Sequence, residues 1–287
     1  MDAILIAESA VNGILLGGVL ALLALGLNLI FGVVDIVWIA YVDLVMLGMY
    51  AVYWLVARFG WSVWLAGLAA VALMAALGVL VHLAIIAPIL SSPPVNQLLA
   101  TGGLLFFVQS FATFLFTTDH RSLRLALPTL QVAGMYVSFA RLLAFGVSLL
   151  AMVGLYLFLT RTYMGTAMRA VSQDREAVAL MGADTRRIYL VTSGIGGAMG
   201  GLAAVLLILQ YSVHPHFGAS FGPLTFMICV LGGLGSMPGA FVASFLMSEV
   251  ISIGGIITST ELAYVVAFVI FIAAIVVRPQ GLLGRRA

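Results

Sequence analysis

The chain of 287 residues has no lysine, a single cysteine (Cys229), and so few ionisable groups that Asp, Glu, Lys and Arg together make up 8% of it. Each shortage excludes a class of protein. A soluble domain carries about 25% charged residues, so an ordinary soluble enzyme does not fit. Nucleic-acid binding needs a basic face, and twelve arginines set against ten carboxylates do not supply one. One cysteine permits neither an internal disulfide nor a zinc cluster. The four histidines, His82, His120, His214 and His216, lack the spacing of a helix-borne metal site, and His214-x-His216 reads as a polar turn. Residues 1–9 carry Asp2 and Glu8 and no base, so a cleavable signal peptide is not expected. There is no GxxxxGK[ST] phosphate loop and no nucleophile–histidine–acid set, so the chain is not expected to be catalytic or to bind a cofactor itself.

What is present is apolar. Hydrophobic residues make up 64% of the sequence, and the composition fits a polytopic all-α membrane bundle forming a single domain over 1–287. Stretches long enough to cross a hydrocarbon layer lie at about 10–33, 36–57, 62–87, 95–117, 139–160, 188–210, 238–257 and 260–277. The shorter, glycine-rich stretch 222–236 reads as a re-entrant or broken span, giving eight to nine crossings. The segment Tyr211–Pro223 should interrupt helix through its Pro and Gly residues.

Arginine placement orients the spans. Arg161, Arg169, Arg175, Arg186, Arg187, Arg278, Arg285 and Arg286 should be cytoplasmic, leaving Arg58, Arg121, Arg124 and Arg141 outside. The N-terminus is then outside and the C-terminus inside. The glycine pairs Gly13/Gly17, Gly196/Gly200, Gly197/Gly201 and Gly235/Gly239 are spaced for one helix face each, which lets backbones approach closely.

The longest polar segment, about 161–187, belongs to the cytoplasmic side. Within it, 174–181 is expected to form a short amphipathic helix with Asp174 as N-cap and Glu176 in the first turn. Ala177, Leu180 and Met181 supply its apolar face, and Gly182 its stop. Such a helix, flanked by Arg169 and Arg175, suits a protein groove or membrane lipid. Inside the spans, Asn28, Asp43, Gln109 and Glu249 are polar where polarity is costly. They are read as a translocation path or as interhelical hydrogen-bond partners. The outer loop 118–130, with Asp119, Arg121 and Arg124, is a candidate dock for a binding protein.

Several blocks, in order along the chain, carry a resemblance. They are Ala24-Leu-Gly-Leu-Asn-Leu-Ile-Phe-Gly32, Met46-Leu-Gly-Met-Tyr50, Pro94-Val-Asn-Gln-Leu-Leu-Ala-Thr-Gly102, Arg169-Ala with Leu180-Met-Gly182, Val230-Leu-Gly-Gly-Leu-Gly-Ser-Met-Pro-Gly-Ala240 and Arg278-Pro-Gln-Gly281. With them the chain resembles the LivH-type permease subunits of branched-chain amino-acid ABC importers. The resemblance implies alternating access, with coupling to ATPases through 174–182. It also implies a bacterial or archaeal inner membrane, a second related permease subunit (as heterodimer or homodimer), two cytoplasmic ATPase subunits that bind ATP and Mg, and a periplasmic solute-binding protein.

One departure stands out. Where the family usually shows Asn-x-Ala-His-Gly-Glu, this chain reads Trp38-Ile-Ala-Tyr-Val-Asp43. Tyr41 and Val42 make the segment bulkier and, by expectation, less able to unwind, which places Tyr41 among the path residues and points either to a larger or aromatic substrate or to a segment altered to stabilise or inactivate the permease. Two alternatives stay open on sequence alone. One is the same scaffold importing urea, short amides or aromatic acids; the other is a secondary transporter or channel that needs no ATPase.

Overall fold

The computed structural model describes residues 3–123, 128–132 and 135–284; Asp2, Arg124, Arg285 and Arg286 lie outside them. Among the described residues, seven helices are long and apolar enough to cross a membrane, and two further apolar helices are shorter. In chain order they begin with α1 (Ala3–Val34), α2 (Tyr41–Ala57) and α3 (Val63–Val81). Helix α3 continues through a π-helical turn, His82–Ile86, into α4 (Ala87–Ile89), and α5 (Pro94–Phe116) follows. After strands β1 (Thr129–Val132) and β2 (Met135–Ser138) come α6 (Phe139–Arg161), α7 (Tyr163–Val171), α8 (Arg175–Leu180), α9 (Thr185–Ile208), α10 (Phe217–Gly232), α11 (Met237–Ile257) and α12 (Thr260–Val277). The protein is a polytopic helical membrane bundle.

Backbone groups in hydrocarbon must be satisfied internally, so the apolar runs fold as helices and their ends are capped. Ser62, Asp184, Ser236 and Ser259 each accept an amide hydrogen bond at a helix start. Three expectations change here. The second span does not begin at 36: residues 35–40 are non-helical, and α2 starts at Tyr41. The unwinding that Tyr41 was expected to resist therefore ends at Tyr41. Its hydroxyl donates to the Gly196 carbonyl at 2.9 Å, and Thr101 donates to the half-buried Val37 carbonyl at 3.1 Å. Next, the expected break across 211–223 is confined to 209–216, because α10 starts at Phe217 and absorbs Pro223. The short span is accordingly 217–232 rather than 222–236. Finally, Gly235 and Gly239 do not share a helix face: Gly235 sits in the turn before α11 at φ +80°, a left-handed conformation that favours glycine. The loop between α5 and α6 also adds a short hairpin, pairing Thr129 with Ser138 and Val132 with Met135.

The other glycine pairs do let helices close. Gly197 and Gly201 face the backbone of α3, and a Cβ on Gly201 would stand 2.7 Å from Val71 Cα. Gly196 and Gly200 admit Ile30, Tyr41 and Val45, while Gly13 and Gly17 admit Glu249, Phe245 and Ser248.

These contacts also set helix directions. Along α1 and α11, Ser9 meets Ser252, Gly13 meets Glu249 and Gly32 meets Gly235, so the two helices are antiparallel. Along α9 and α3, Gly194 meets Val79, Gly197 meets Ala75 and Gly201 meets Val71, so they are antiparallel as well. Helix α2 runs parallel to α9 (Tyr41 by Gly196, Gly48 by Ala204). Helix α10 runs parallel to α1 (Cys229 by Ala24, Gly233 by Asn28). The corresponding helices of α1–α3 and α9–α11 thus run in opposite directions, the order of an inverted repeat familiar in transporters. Their short second helices meet at their N-termini, where Gly218 sits directly against the Asp43 carboxylate.

Candidate functional site

Two features concentrate the polar and exposed side chains. The first is the arginine-rich loop between α6 and α9. It contains two helices where only one was expected. Thr162 starts α7 by accepting the Gly165 amide at 3.0 Å, and Met168 and Val171 bury that helix's apolar side. Asp174 then starts α8, accepting the amides of Glu176 and Ala177 at 3.0 and 2.9 Å. Helix α8 ends before Gly182, which takes φ +82° and donates to the Ala179 carbonyl at 3.0 Å. Cap and stop lie where the sequence put them.

The helix turns the Leu180 and Met181 end of its expected apolar face outward. Val178 and Ala183 pack on the core, whereas Leu180 is 89% exposed and Met181 86% exposed. Large apolar side chains held this far out beside the exposed Arg175 and Glu176 make a surface suited to another protein.

The second feature is a groove. Helices α6 and α11 both pack on α1, which forms the floor between them. Part of it is filled by Phe145 and Phe245, edge to face at 6.2 Å, with Phe241 at 4.8 Å from Phe245. These rings lie over Gly17 and Gly18, and a Cβ on Gly18 would come within 2.8 Å of the Phe145 ring. Beyond them a cavity of about 620 Å³ has mostly apolar walls, among them Leu25, Leu29, Met152 and Leu155. It adjoins a chamber of about 720 Å³ that is mostly polar, with Asp35, Gln173 and Arg175 on its wall. Arg169, Ser172, Gly32 and Ser236 line both.

Asn28 fixes the wall between these spaces. Its side-chain amide donates to the Ser236 carbonyl at 2.9 Å and to Gly233 at 3.4 Å, and its carbonyl oxygen accepts the Gly235 amide at 2.5 Å. The C-terminal segment docks just before this loop, on the end of α10, Leu282 N–H to the Leu231 carbonyl at 2.8 Å and Leu283 N–H to the Gly232 carbonyl at 3.2 Å. The sequence blocks 24–32, 230–240 and 278–281 therefore meet in one place. Asn28→Leu should cost about 2 kcal/mol by stranding buried backbone groups, read as a lower midpoint in detergent unfolding; an unchanged midpoint would remove Asn28 from the packing account.

A family model described as "Branched-chain amino acid transport system / permease component" matches residues 9–275. The chain belongs to this permease family. Over 297 aligned residues the permease is 31% identical to the high-affinity branched-chain amino acid transport system permease protein BraD of Pseudomonas aeruginosa, covering 97% of this chain and 95% of that one. It is 30% identical over 293 residues to the LivH permease protein of Escherichia coli strain K12, covering 96% and 94%. No solved structure matches the permease.

The permease distributes the other path candidates away from the cavity. Asp43 and Gln109 are joined by a 2.9 Å hydrogen bond, and Asp43 and Tyr41 are fully buried in the contacts among α2, α5, α9 and α10. Glu249 lies against Gly13, and among the described residues its buried Oε1 has no hydrogen-bond partner. Sequence reading missed α7 and the Phe145–Phe241–Phe245 cluster. It also missed Gln97, whose amide reaches the carbonyls of Ile89, Leu90 and Ser92 at 3.0–3.4 Å. The only advance signal for these was Thr162 before an amphipathic stretch and Gln97 within a quoted block.

At the end bearing Arg58, residues 121 and 213 form a two-way backbone bridge, with N···O distances of 2.9 and 2.8 Å. The His120 and His214 rings lie 4.4 Å apart, centroid to centroid. Burial, then the neighbouring His120, holds the His214 pKa below the ordinary histidine value. The folded permease therefore binds this proton less readily than the unfolded chain. The stabilisation is complete above about pH 6.5 and is lost as pH falls toward the lower folded value. Thermal stability should drop across that window, and His214→Gln should flatten the profile. Parallel profiles for the two proteins would rule out His214 as the source.

Proposed function

We propose that the permease is the membrane half of an ATP-driven importer for branched-chain and other hydrophobic amino acids, working by alternating access. Its near full-length relatives named for high-affinity branched-chain amino acid transport support the substrate class. The single observation that carries the coupling is the capped helix α8 presenting Leu180 and Met181 outward. ATPase closure would press on this helix and its caps, in which Asp174, Arg175, Glu176, Ala177, Leu180 and Gly182 take part together with Arg169 of α7, and rock the helices around the groove. The open flank of the groove would be closed by a second, related permease, the two together enclosing the path. Two ATPase subunits would hold ATP and Mg. A periplasmic binding protein would deliver substrate at the end bearing Arg58 and the hairpin. This sets the permease in an inner membrane with its N-terminus outside and its C-terminus cytoplasmic.

The test is native co-purification in mild detergent followed by reconstitution. Two ATPase chains and a second permease are expected, with leucine uptake that requires ATP and the binding protein. A homodimer with ATPases would keep the function and change the stoichiometry. A chain recovered alone that transports leucine down an ion gradient would refute the importer reading.

A further inference from the structure

We propose that the two adjoining chambers form a release site for a free zwitterionic amino acid, with Arg169 holding its carboxylate and Asp35 its ammonium group. The inference rests on the function proposed above and adds a ligand orientation to it.

The division of polarity within the cavity is the starting point. One chamber is walled mostly by aliphatic side chains from α1 and α6, and its neighbour is mostly polar and carries charges of both signs. A molecule that bridges them needs an apolar end and a charged end. Both chambers fall within the few hundred to a thousand Å³ usual for small-molecule sites, so a leucine, isoleucine or phenylalanine side chain fits the first without filling it.

Arg169 lies on the shared wall, where the charged end of such a ligand would come to rest. A guanidinium stays ionised and offers a planar fork of donors that matches a carboxylate. Asp35 faces the polar chamber from the end of α1. It takes φ +59° there, a left-handed conformation that aspartate tolerates better than most residues, and its amide still closes on the Phe31 carbonyl at 2.8 Å. Among the described residues, no hydrogen bond engages either the Arg169 guanidinium or the Asp35 carboxylate, so both charges are available to a ligand. A cation and an anion in one chamber match a zwitterion. An anionic lipid headgroup would gain from Arg169 and Arg175 but would be repelled by Asp35.

Ligands that each lack one charge separate the two roles. The nucleotide-free assembly, purified with its native partners and without binding protein, would be placed in nanodiscs. Displacement of tritiated leucine would be measured with leucine, with 4-methylpentanoate (no ammonium) and with leucinamide (no carboxylate). Arg169→Gln should weaken leucine and 4-methylpentanoate by about tenfold and leave leucinamide nearly unchanged. Asp35→Asn should weaken leucine and leucinamide by a similar factor and spare 4-methylpentanoate. Arg169→Lys should keep most of the carboxylate preference, which controls for misfolding. Equal weakening of all three ligands, or none, overturns the assignment. So does displacement of bound leucine by added phosphatidylglycerol, which would mark the chambers as a lipid site. If the wild-type assembly, with ATP and binding protein, imports no leucine, the proposed function fails and takes this site with it. If it imports leucine but lacks the crossed pattern, only the release site fails.

Discussion

Gly182→Pro should abolish leucine uptake by the reconstituted importer while ATP hydrolysis continues. Gly182 sits at φ +82° and its amide closes α8 on the Ala179 carbonyl. Proline is locked near φ −65° and has no N–H, so it can supply neither. Helix α8 would lose its end, and with it the fixed position of Leu180 and Met181. A loss of at least about a hundredfold in uptake corresponds to roughly 3 kcal/mol of coupling. Leu180→Asp is the companion variant. That side chain is 89% exposed, so the fold should be untouched while the apolar contact is replaced by a desolvated charge. Glu176→Arg, in the first turn of the same helix, should uncouple in the same way. The measurement is uptake and phosphate release in the same vesicles. Normal uptake in all three variants would sink the coupling role of α8.

The largest stability effect should come from the centre of the bundle. Gly197 packs directly on the Met74 carbonyl of α3, and Gly201, one turn on, packs on Val71 Cα. The obstacle to a side chain here is backbone, which cannot swing aside as a rotamer can. Gly197→Leu should push α3 and α9 apart and cost about 3 kcal/mol or more, since overpacking adds to the loss of close helix contact. Gly154 on α6 meets nothing within 4 Å of a built Cβ, so Gly154→Ala should cost nothing. Denaturant titration in mixed micelles would rank the two. Equal midpoints would show that the α3–α9 contact is not what holds the bundle.

Much of this was legible in the sequence, and the exceptions are physical. Long apolar runs fold as spans because hydrocarbon allows few other structures, and the ends of α8 followed from Asp174 and Gly182 because capping is local chemistry. The start of α2 was misread because Ile36, Val37 and Trp38 are as apolar as a helix. Thr101, sixty-four positions from Val37, satisfies part of the unwound backbone, a partner that local sequence does not announce. Pro223 was read as a breaker, yet α10 carries it. Among candidate site residues, Asn28 proved to line the cavity, whereas Tyr41, Asp43 and Gln109 serve contacts between helices. A polar residue in an apolar run announces that it has a partner but does not name it.

The inverted relation between α1–α3 and α9–α11 bears on energetics as well as shape. If each half can adopt the conformation now held by the other, the exchanged molecule keeps the same helix pairings with different side chains in them and opens toward the opposite face. Two such states differ in free energy at every position where the halves differ in sequence, Asn28 and its loop among them. Converting a population from 1:99 to 99:1 takes about 5.5 kcal/mol of differential stabilisation. Under the importer function proposed above, nucleotide binding would have to supply whatever part of that difference the two halves leave unbalanced.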